Sequence, residues 1–336
     1  MKGKISRSIL IIAMLLLSVI LGACSEKEAS NQSAGKEGPK QTSEKSSYPS
    51  KPIQVIVPAG AGGDTDLNAR LLGKYLEKEL GQPIVISNVN GAGGSVGAKQ
   101  VLDSNPDGYN VLFFHNSLLL NKILGLVDYS YDSFKLAGIS LLDQGNTFIV
   151  NSKSKFKDLK DMIAYAKKNP GKVTIATEVG GFTHLQLKAL EKDQGIKLNI
   201  VDVGSASEKI TALMGNRVDI VPTSLGLVTD YIKSKKFRTL GIMAKDRVDL
   251  MPDVPTFIEQ GANVSFEKFF FYGFPKETPD DVVEKFSKAV EKVVNNKEYI
   301  EEAKKSLVTP TYMNPQEAFD YIKETDEYYK ELNSDQ

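Results

Sequence analysis

Short apolar runs alternate with amphipathic segments along most of the chain after residue 50. The first run, Ile53–Val57, ends at Pro58, and a small-residue loop then leads into a segment whose leucines recur at helical spacing until Gly81. A continuous apolar run followed by a helical period is typical of a buried strand and the helix that covers it. The order strand, helix, strand, helix, strand over residues 53–114 therefore predicts a doubly wound α/β lobe.

A second series with the same alternation begins at residue 147. The predicted strands lie at 147–150, 172–177, 198–203, 217–222 and 237–243, and the predicted helices at 159–168, 183–192 and 205–216. Ser205 and Glu208 have the spacing of a capping box at the start of the last helix. The α/β pattern therefore occurs twice, which predicts two lobes.

The end of the chain returns to the first lobe in this interpretation. An aromatic strand is predicted at 266–274, and only helices are predicted after it, at 279–295, 297–306 and 315–332. These helices need a sheet to cover. We therefore expect lobe 1 to comprise residues 51–142 and 266–336, and lobe 2 to comprise residues 143–265. Open α/β sheets bind ligands where their strands end, so a cleft between the lobes is the expected site.

The first 50 residues have a different composition. Residues 1–23 combine three basic side chains with a short apolar run, as in a secretory signal, and the sequence Leu-Gly-Ala-Cys ending at Cys24 resembles a bacterial lipoprotein cleavage site. An uncleaved anchor, or an ordinary signal with a coincidental cysteine, is the alternative. Residues 24–50 are rich in Ser, Lys and Glu and predict a flexible linker. We expect an exported protein, lipid-anchored through Cys24 to the outer face of the cell membrane.

Charge and composition exclude several classes of protein. The chain has 42 basic and 42 acidic side chains, and removal of residues 1–23 leaves a net charge near −3, which gives no electrostatic reason to bind nucleic acid. One cysteine allows no disulfide within the chain. With two histidines besides, neither a transition-metal site nor a cofactor is expected.

Two loops have the pattern of an anion site. Residues 60–66 follow a strand and open a helix, so their backbone N–H groups can converge on an anion. An ordinary turn, with Asp64 or Thr65 as N-cap and Asp66 paired to Arg70, is the alternative. Residues 179–184 hold the matching place in the second lobe. There Thr183 is the predicted N-cap, and His184 would bind the ligand or the loop that holds it.

A third loop, residues 90–97, suggests two enzyme motifs. Its glycines do not fit a dinucleotide fingerprint, because the third glycine, Gly97, comes one residue late, and the chain has no phosphate-binding P-loop. Ser95 stands in a Gly-x-Ser-x-Gly sequence, for which His184 would be the base. A hydrolase elbow, however, places its serine directly after a strand. A secreted serine hydrolase using Ser95 is the alternative function.

Five segments together resemble the solute receptors of tripartite tricarboxylate transporters, also called Bug proteins. The resemblance covers residues 51–327. The matching segments are GGDTDLNAR at 62–70, GQPIVISNVNGAGGSVGA at 81–98, PDGY at 106–109, NRVDI at 216–220 and LMPDVPTFIEQG at 250–261. Their order and spacing are specific to that family.

The resemblance implies a type II periplasmic-binding-protein fold, in which two α/β lobes hold a small carboxylate in the cleft between them. It implies a receptor rather than an enzyme, expected as a monomer, that delivers its ligand to the large and small membrane subunits of a transporter. The ligand-binding positions carried over are Gly60, Ala61, Gly62, Gly63 and Asp66 in the first loop, Gly180, Gly181, Thr183 and His184 in the second, and Ser117, Thr177, Ser205 and Thr223 near the cleft.

Two departures from the family pattern concern charge. Asp64 stands where glycine is frequent, and the second loop carries Glu178 and Phe182 where small or polar residues are common. Acids beside an anion site are unfavourable unless they point away from it or meet a ligand hydroxyl, an ammonium group or a bound cation. We therefore do not expect a dianionic, tricarboxylate-like ligand.

Overall fold

The computed structural model describes residues 48–249 and 251–334. The predicted signal segment, the lipidation site Cys24 and most of the predicted linker lie outside these residues. Tyr48 is buried, and its hydroxyl donates to the Gly108 carbonyl oxygen at 3.0 Å, so the folded body includes residue 48. Over the ranges described, none of the helices combines the length and the apolar character needed to span a bilayer.

The described chain contains eleven strands and ten α-helices. The strands are β1 (Ile53–Val57), β2 (Ile84–Asn88), β3 (Asn110–His115), β4 (Phe134–Asp143), β5 (Asn146–Asn151), β6 (Thr174–Thr177), β7 (Asn199–Asp202), β8 (Ile220–Ser224), β9 (Phe237–Ile242), β10 (Lys268–Pro275) and β11 (Thr309–Met313). The helices are α1 (Asp64–Leu80), α2 (Ser95–Leu102), α3 (Ser117–Ile123), α4 (Leu159–Lys168), α5 (Phe182–Gln194), α6 (Ala206–Met214), α7 (Thr229–Lys233), α8 (Asp280–Val294), α9 (Lys297–Lys305) and α10 (Pro315–Ser334).

The strands form two mixed sheets. The six-stranded sheet has the order β11-β4-β10-β3-β1-β2, with β1 parallel to β2 and β3, and β10 antiparallel to β3 and β4. The five-stranded sheet has the order β7-β6-β8-β5-β9, with β6 parallel to β7 and β8. We call the six-stranded sheet and its helices the first lobe, and the five-stranded sheet and its helices the second lobe. The predicted α/β class with two sheets is confirmed.

The chain enters the first lobe, builds the second, and returns to the first through β10. The last helices, α8, α9 and α10, then pack on the first lobe, where α8 contacts α1 and both α8 and α10 contact β4. The boundaries at residues 142/143 and 265/266 remain predictions.

Four elements were not predicted from the sequence: β4, α3, α7 and β11. The expectation that only helices follow residue 274 was wrong, because β11 pairs antiparallel with β4 at the edge of the sheet. Pro310 lies within β11, and a proline argues against a strand in the sequence because it has no backbone N–H to donate. Proline is tolerated there because one side of an edge strand needs no backbone donor.

Strand β10 divides the core of the first lobe into two faces. Phe270 and Tyr272 pack with α1 and α8 in one apolar cluster, whereas Phe269 and Phe271 belong to a second cluster. That second cluster continues into the second lobe through Phe182 of α5. The core therefore crosses from lobe to lobe behind the place where the strands end.

Candidate functional site

A cavity lies between the lobes, where β1, β3, β8 and β10 have their cleft-side ends. Its interior, counted as space open to the centre of a water-sized sphere, is about 70 Å³. One water needs roughly 10–15 Å³ by this measure, so the space suits about five waters or a small organic molecule. Seven residues predicted from the sequence line it: Gly60, Gly63, Ser117, Gly181, Thr183, Ser205 and Thr223.

The two predicted anion loops have the same backbone conformation. In the first, the Gly63 N–H donates to the Gly60 carbonyl at 3.4 Å, and in the second the Gly181 N–H donates to the Glu178 carbonyl at 2.9 Å. The third residue of each turn has a positive φ, +76° at Gly62 and +80° at Gly180. This conformation favours glycine, which has no Cβ to clash. The lobes thus present equivalent turns to the cavity from opposite sides.

Asp66 and His184 occupy equivalent positions and stabilise these turns. Asp66 Oδ2 accepts the Gly62 N–H at 2.9 Å, and His184 Nδ1 accepts the Gly180 N–H at 3.5 Å. Asp66 is also paired with Arg70 at 2.9 Å, as the alternative interpretation of the sequence had it. Neither side chain is among those that line the cavity in the described structure. Both side chains therefore stabilise a loop rather than face the cavity.

Four other predicted residues also lie outside the cavity lining: Ala61, Gly62, Thr177 and Gly180. Ala61 and Gly62 form the exposed tip of the first turn. Thr177 is fully buried, and its hydroxyl shares a 2.8 Å hydrogen bond with Thr183. It therefore positions a lining side chain rather than facing the cavity.

Three helices begin at the cavity. Helix α1 has Gly63 as its N-cap and α5 has Gly181, so the prediction of Thr183 as a cap was wrong, and Asp64 or Thr65 does not cap α1 as the alternative interpretation had it. Helix α6 is capped by Ser205, and the predicted capping box with Glu208 is confirmed. N–H groups in the first turn of a helix have no partner within it, and the helix dipole adds positive potential. Three such ends facing one space favour an anion.

Close contacts between the lobes surround the cavity. Ser117 Oγ accepts the Phe182 N–H across the cleft at 2.8 Å. A Cβ at Gly60 would lie 2.8 Å from Ser205 Cβ, a distance that real Cβ atoms essentially never show. Glycine at position 60 is therefore required for this approach of the first turn to α6.

The negative charge of Asp64 at the cavity wall is neutralised within the protein. Its Oδ2 is hydrogen-bonded and ion-paired to Lys268 Nζ, and it accepts a 3.1 Å hydrogen bond from Ser224 Oγ. Burial by itself would raise the pKa of Asp64, but the Lys268 ammonium and these hydrogen bonds hold it well below its ordinary value. Asp64 and Lys268 form a closed ion pair at the cavity wall.

Two further titratable groups lie beside this pair. Burial raises the pKa of Asp143 to about 6, although Lys268 opposes the rise. His115 lines the cavity, and burial together with the Lys268 charge holds its pKa well below the ordinary value. His115 is therefore neutral at pH 7 and adds no charge to the site.

Lys209 and Glu178 face the cavity without such a close pair. Lys209 is 5% exposed, and among the described residues its ammonium has one hydrogen-bond contact, 3.4 Å to Thr183 Oγ1. Burial lowers the pKa of Lys209 to about 8, and Glu178 partly offsets the fall. Burial raises the pKa of Glu178, and Lys209 opposes that rise. The two charges attract each other but are not in hydrogen-bond contact.

Sequence reasoning missed several lining residues: His115, Asn146, Lys209, Ser224 and Lys268. A signal for Lys209 existed, because a lysine in the first turn of a helix opposes the helix dipole and needs another reason to be there. Lys268 also had one, since it precedes the apolar run Phe269–Phe271, and a charge at the end of a buried strand is rarely free of a partner.

The predicted enzyme alternative has no support in the geometry. Ser95 begins α2 after a 3-10 turn instead of following a strand, and it is not among the residues that line the cavity. No group of three or more His, Cys, Asp or Glu side chains within 48–249 and 251–334 could hold a metal ion.

Comparison with known proteins identifies relatives over most of the chain. The family described as "Tripartite tricarboxylate transporter family receptor" matches residues 68–334. An Agrobacterium vitis protein, named as a UPF0065 protein in the TAR-I ttuE-ttuC' intergenic region, is 32% identical over 260 residues, which cover 76% of this chain and 75% of its own.

Solved structures agree with this match. The periplasmic binding protein BugD is 27% identical, with a TM-score of 0.80 over 86% of this chain and 98% of its own. A malate-bound protein from Rhodopseudomonas palustris is 22% identical, with a TM-score of 0.80 over 85% of this chain and 100% of its own. The two α/β lobes with a cleft between them are the fold of periplasmic binding proteins of this type.

Proposed function

The chain belongs to the tripartite tricarboxylate transporter receptor family, a family of binding proteins rather than enzymes, and we propose that it captures a small carboxylate in the cavity between its lobes. The observation that carries the proposal is the convergence of the first turns of α1, α5 and α6 on one cavity that also contains the buried ammonium of Lys209. A carboxylate carries the negative charge that all of these groups favour.

Micromolar binding requires charge-assisted hydrogen bonds in addition to the helix N-termini. A micromolar ligand requires about −8 kcal/mol. Helix N-termini contribute roughly 0.3–2 kcal/mol each, so three of them are not enough by themselves. Charge-assisted hydrogen bonds contribute roughly 1.5–3 kcal/mol each, and Lys209 supplies at least one. The proposed contacts are the lining residues Gly60, Gly63, Ser117, Gly181, Thr183, Ser205 and Thr223, together with Lys209.

The proposal extends to transport. The receptor is exported, lipid-anchored through Cys24 to the outer face of the cell membrane, and delivers its ligand to the large and small membrane subunits of a tripartite tricarboxylate-type transporter. Support comes from the family's description and from the Leu-Gly-Ala-Cys sequence after a signal-like segment. Mass spectrometry of the mature protein should find the N-terminus at a lipid-modified Cys24, and an unmodified or uncleaved N-terminus would contradict the anchor.

A ligand screen tests the binding function. The purified protein is titrated with mono-, di- and tricarboxylates and amino acids by thermal shift and calorimetry. We expect at least one carboxylate-bearing compound to raise the melting temperature and to bind with micromolar affinity. Gly60→Ala should weaken that binding at least tenfold, because the added Cβ collides with Ser205. Failure of every carboxylate-bearing compound to bind would overturn the proposal.

A further inference from the structure

Four charged side chains line the cavity, and only two of them neutralise each other by direct contact. Asp64 and Lys268 are ion-paired, and Ser224 adds a hydrogen bond to the same carboxylate oxygen. This pair therefore presents little net charge to a ligand. Lys209 and Glu178 remain as one cation and one anion for which the described residues provide no ion-pair contact.

The two free charges come from different elements of the second lobe. Glu178 is the first residue of the turn that precedes α5, and Lys209 lies in the first turns of α6. Thr183 stands near Lys209, with its hydroxyl 3.4 Å from the lysine Nζ. Both side chains line the same cavity, so a molecule within it can reach the two charges.

Each of the two groups also has a charge of its own sign nearby. Burial disfavours the charged form of Lys209, and Lys268 adds positive potential to it. Glu178 is buried enough that its charged form is disfavoured, and Asp202 and Glu208 add negative potential to it. A carboxylate is thus favoured beside Lys209, and a cationic group is favoured beside Glu178.

We propose that the cavity binds a zwitterion of about amino-acid size, with its carboxylate against Lys209 and the helix N-termini and its ammonium against Glu178. This inference rests on the proposed function and narrows the class of carboxylate. A zwitterion adds no net charge, and it gives each free side chain a partner of opposite sign. A dianion would place its second carboxylate near Glu178 and repel it.

The size of the cavity supports the same class. Its interior of about 70 Å³ suits a molecule of the volume of about five waters. A small amino acid has about that size. Thr223 supplies one more contact, because its buried hydroxyl has no partner among the described residues and lies in the cavity wall.

Matched pairs of probes test the charge of the ligand. Calorimetry compares each of a panel of amino acids with its hydroxy acid and its deaminated acid, for example L-alanine with L-lactate and propionate, and includes succinate and malate as dianions. We expect at least one amino acid to bind at least tenfold more tightly than both of its counterparts and than either dianion. The Glu178→Gln variant should lose at least tenfold affinity for that amino acid and none for its hydroxy acid.

Two variants separate this result from a general effect. Lys209→Met should weaken the binding of the amino acid and of the hydroxy acid by the same factor, because both ligands carry the carboxylate. Glu301→Gln changes an exposed acid on α9 of the first lobe, and it should leave every affinity unchanged.

Hydroxy acids or dianions that bind more tightly than all amino acids, with Glu178→Gln leaving their affinity unchanged, would overturn the zwitterion and leave the carboxylate receptor intact. Absence of binding by every probe would overturn both.

Discussion

Two acid–lysine combinations line the same cavity, and they differ in whether the charges touch. Asp64 and Lys268 join α1 to β10 by direct ion pairing, with Ser224 of β8 on the same carboxylate. Glu178 and Lys209 come from two loop–helix junctions of the second lobe and interact only at longer range. Asp64 and Lys268 neutralise each other without a ligand, whereas Glu178 and Lys209 lack a direct partner of opposite charge among the described residues.

This difference separates a structural role from a binding role. A buried ion pair needs good geometry and further hydrogen bonds to offset desolvation, and Asp64 has both. A buried ammonium with one long hydrogen bond is unfavourable in the free protein. Its desolvation becomes useful when an anion enters, because the attraction is then stronger than it would be in water. Lys268 stabilises the fold, whereas the unfavourable desolvation of Lys209 is offset only when an anion binds beside it.

The largest expected effect comes from breaking the closed pair. Lys268→Met leaves the Asp64 carboxylate buried without its cation, and loss of one partner from such a pair destabilises a protein by about 3–5 kcal/mol. Urea unfolding of the ligand-free protein should show this loss. The double variant Asp64→Asn with Lys268→Met should recover much of it. An unfolding midpoint in Lys268→Met equal to that of the unchanged protein would show that the pair is not structural.

Removing the charge of Lys209 should weaken ligand binding without lowering the stability of the ligand-free protein. Lys209→Met removes a charge-assisted hydrogen bond, which corresponds to about a 10- to 100-fold loss of affinity for carboxylate probes. Its unfolding midpoint should stay the same or rise, because a desolvated ammonium is removed. Lys304→Met, at an exposed position on α9, is the matched control and should change neither quantity. If Lys209→Met lowered the stability as much as Lys268→Met does, Lys209 would have a structural role and the proposed difference between the two lysines would be wrong.

The pH dependence of ligand affinity tests whether the Lys209 ammonium contacts the carboxylate. The pKa of Lys209 is lowered to about 8 in the free protein, and a bound carboxylate raises it again, so binding takes up a proton above that pH. Glu178, Asp64, Asp202 and Lys268 are the charged groups that act on it. Affinity for propionate or lactate should therefore fall as pH rises above about 8, by up to about tenfold per unit. The Lys209→Met variant should show no such fall.

The same shift predicts the opposite trend for the ligand-free protein. The folded-state pKa of Lys209, about 8, lies below the ordinary lysine value of 10.5, so the unfolded chain binds more protons between these two values. The contribution of Lys209 to stability therefore increases with pH over that interval. A difference between the unchanged protein and Lys209→Met that does not vary from pH 7 to pH 10 would contradict the assignment.

The smallest expected effect concerns a hydroxyl without charge. Thr223→Val removes a buried oxygen that has no partner among the described residues, so stability should change by less than about 0.5 kcal/mol. Affinity should fall about three- to tenfold, the equivalent of one neutral hydrogen bond. Thr278→Val is the control, because the Thr278 hydroxyl is also buried without a partner in the described structure but lies away from the cavity. If the two variants bound the ligand with equal affinity, Thr223 would not contact the ligand.

Much of the fold was predictable because the signals are local. Apolar runs, glycine C-caps and the Ser205–Glu208 capping box each depend on a few neighbouring residues, so strands such as β1 and helices such as α4 were placed correctly. The clearest failure was nonlocal. Strand β11 is defined by its pairing with β4, more than 160 residues earlier in the chain, and Pro310 obscures it.

The sequence by itself determined that two lobes carry glycine-rich turns at helix starts, that an anion suits them, and that the chain resembles a carboxylate receptor. It also showed two extra acids near the site, but not their partners. Tertiary structure alone decided that Asp64 meets Lys268, that Asp66 and His184 hold the turns, and that Lys209 and Glu178 stay apart. The physical reason is that charge compensation depends on distances between segments about 30 to 200 residues apart, and these distances exist only once both sheets are assembled.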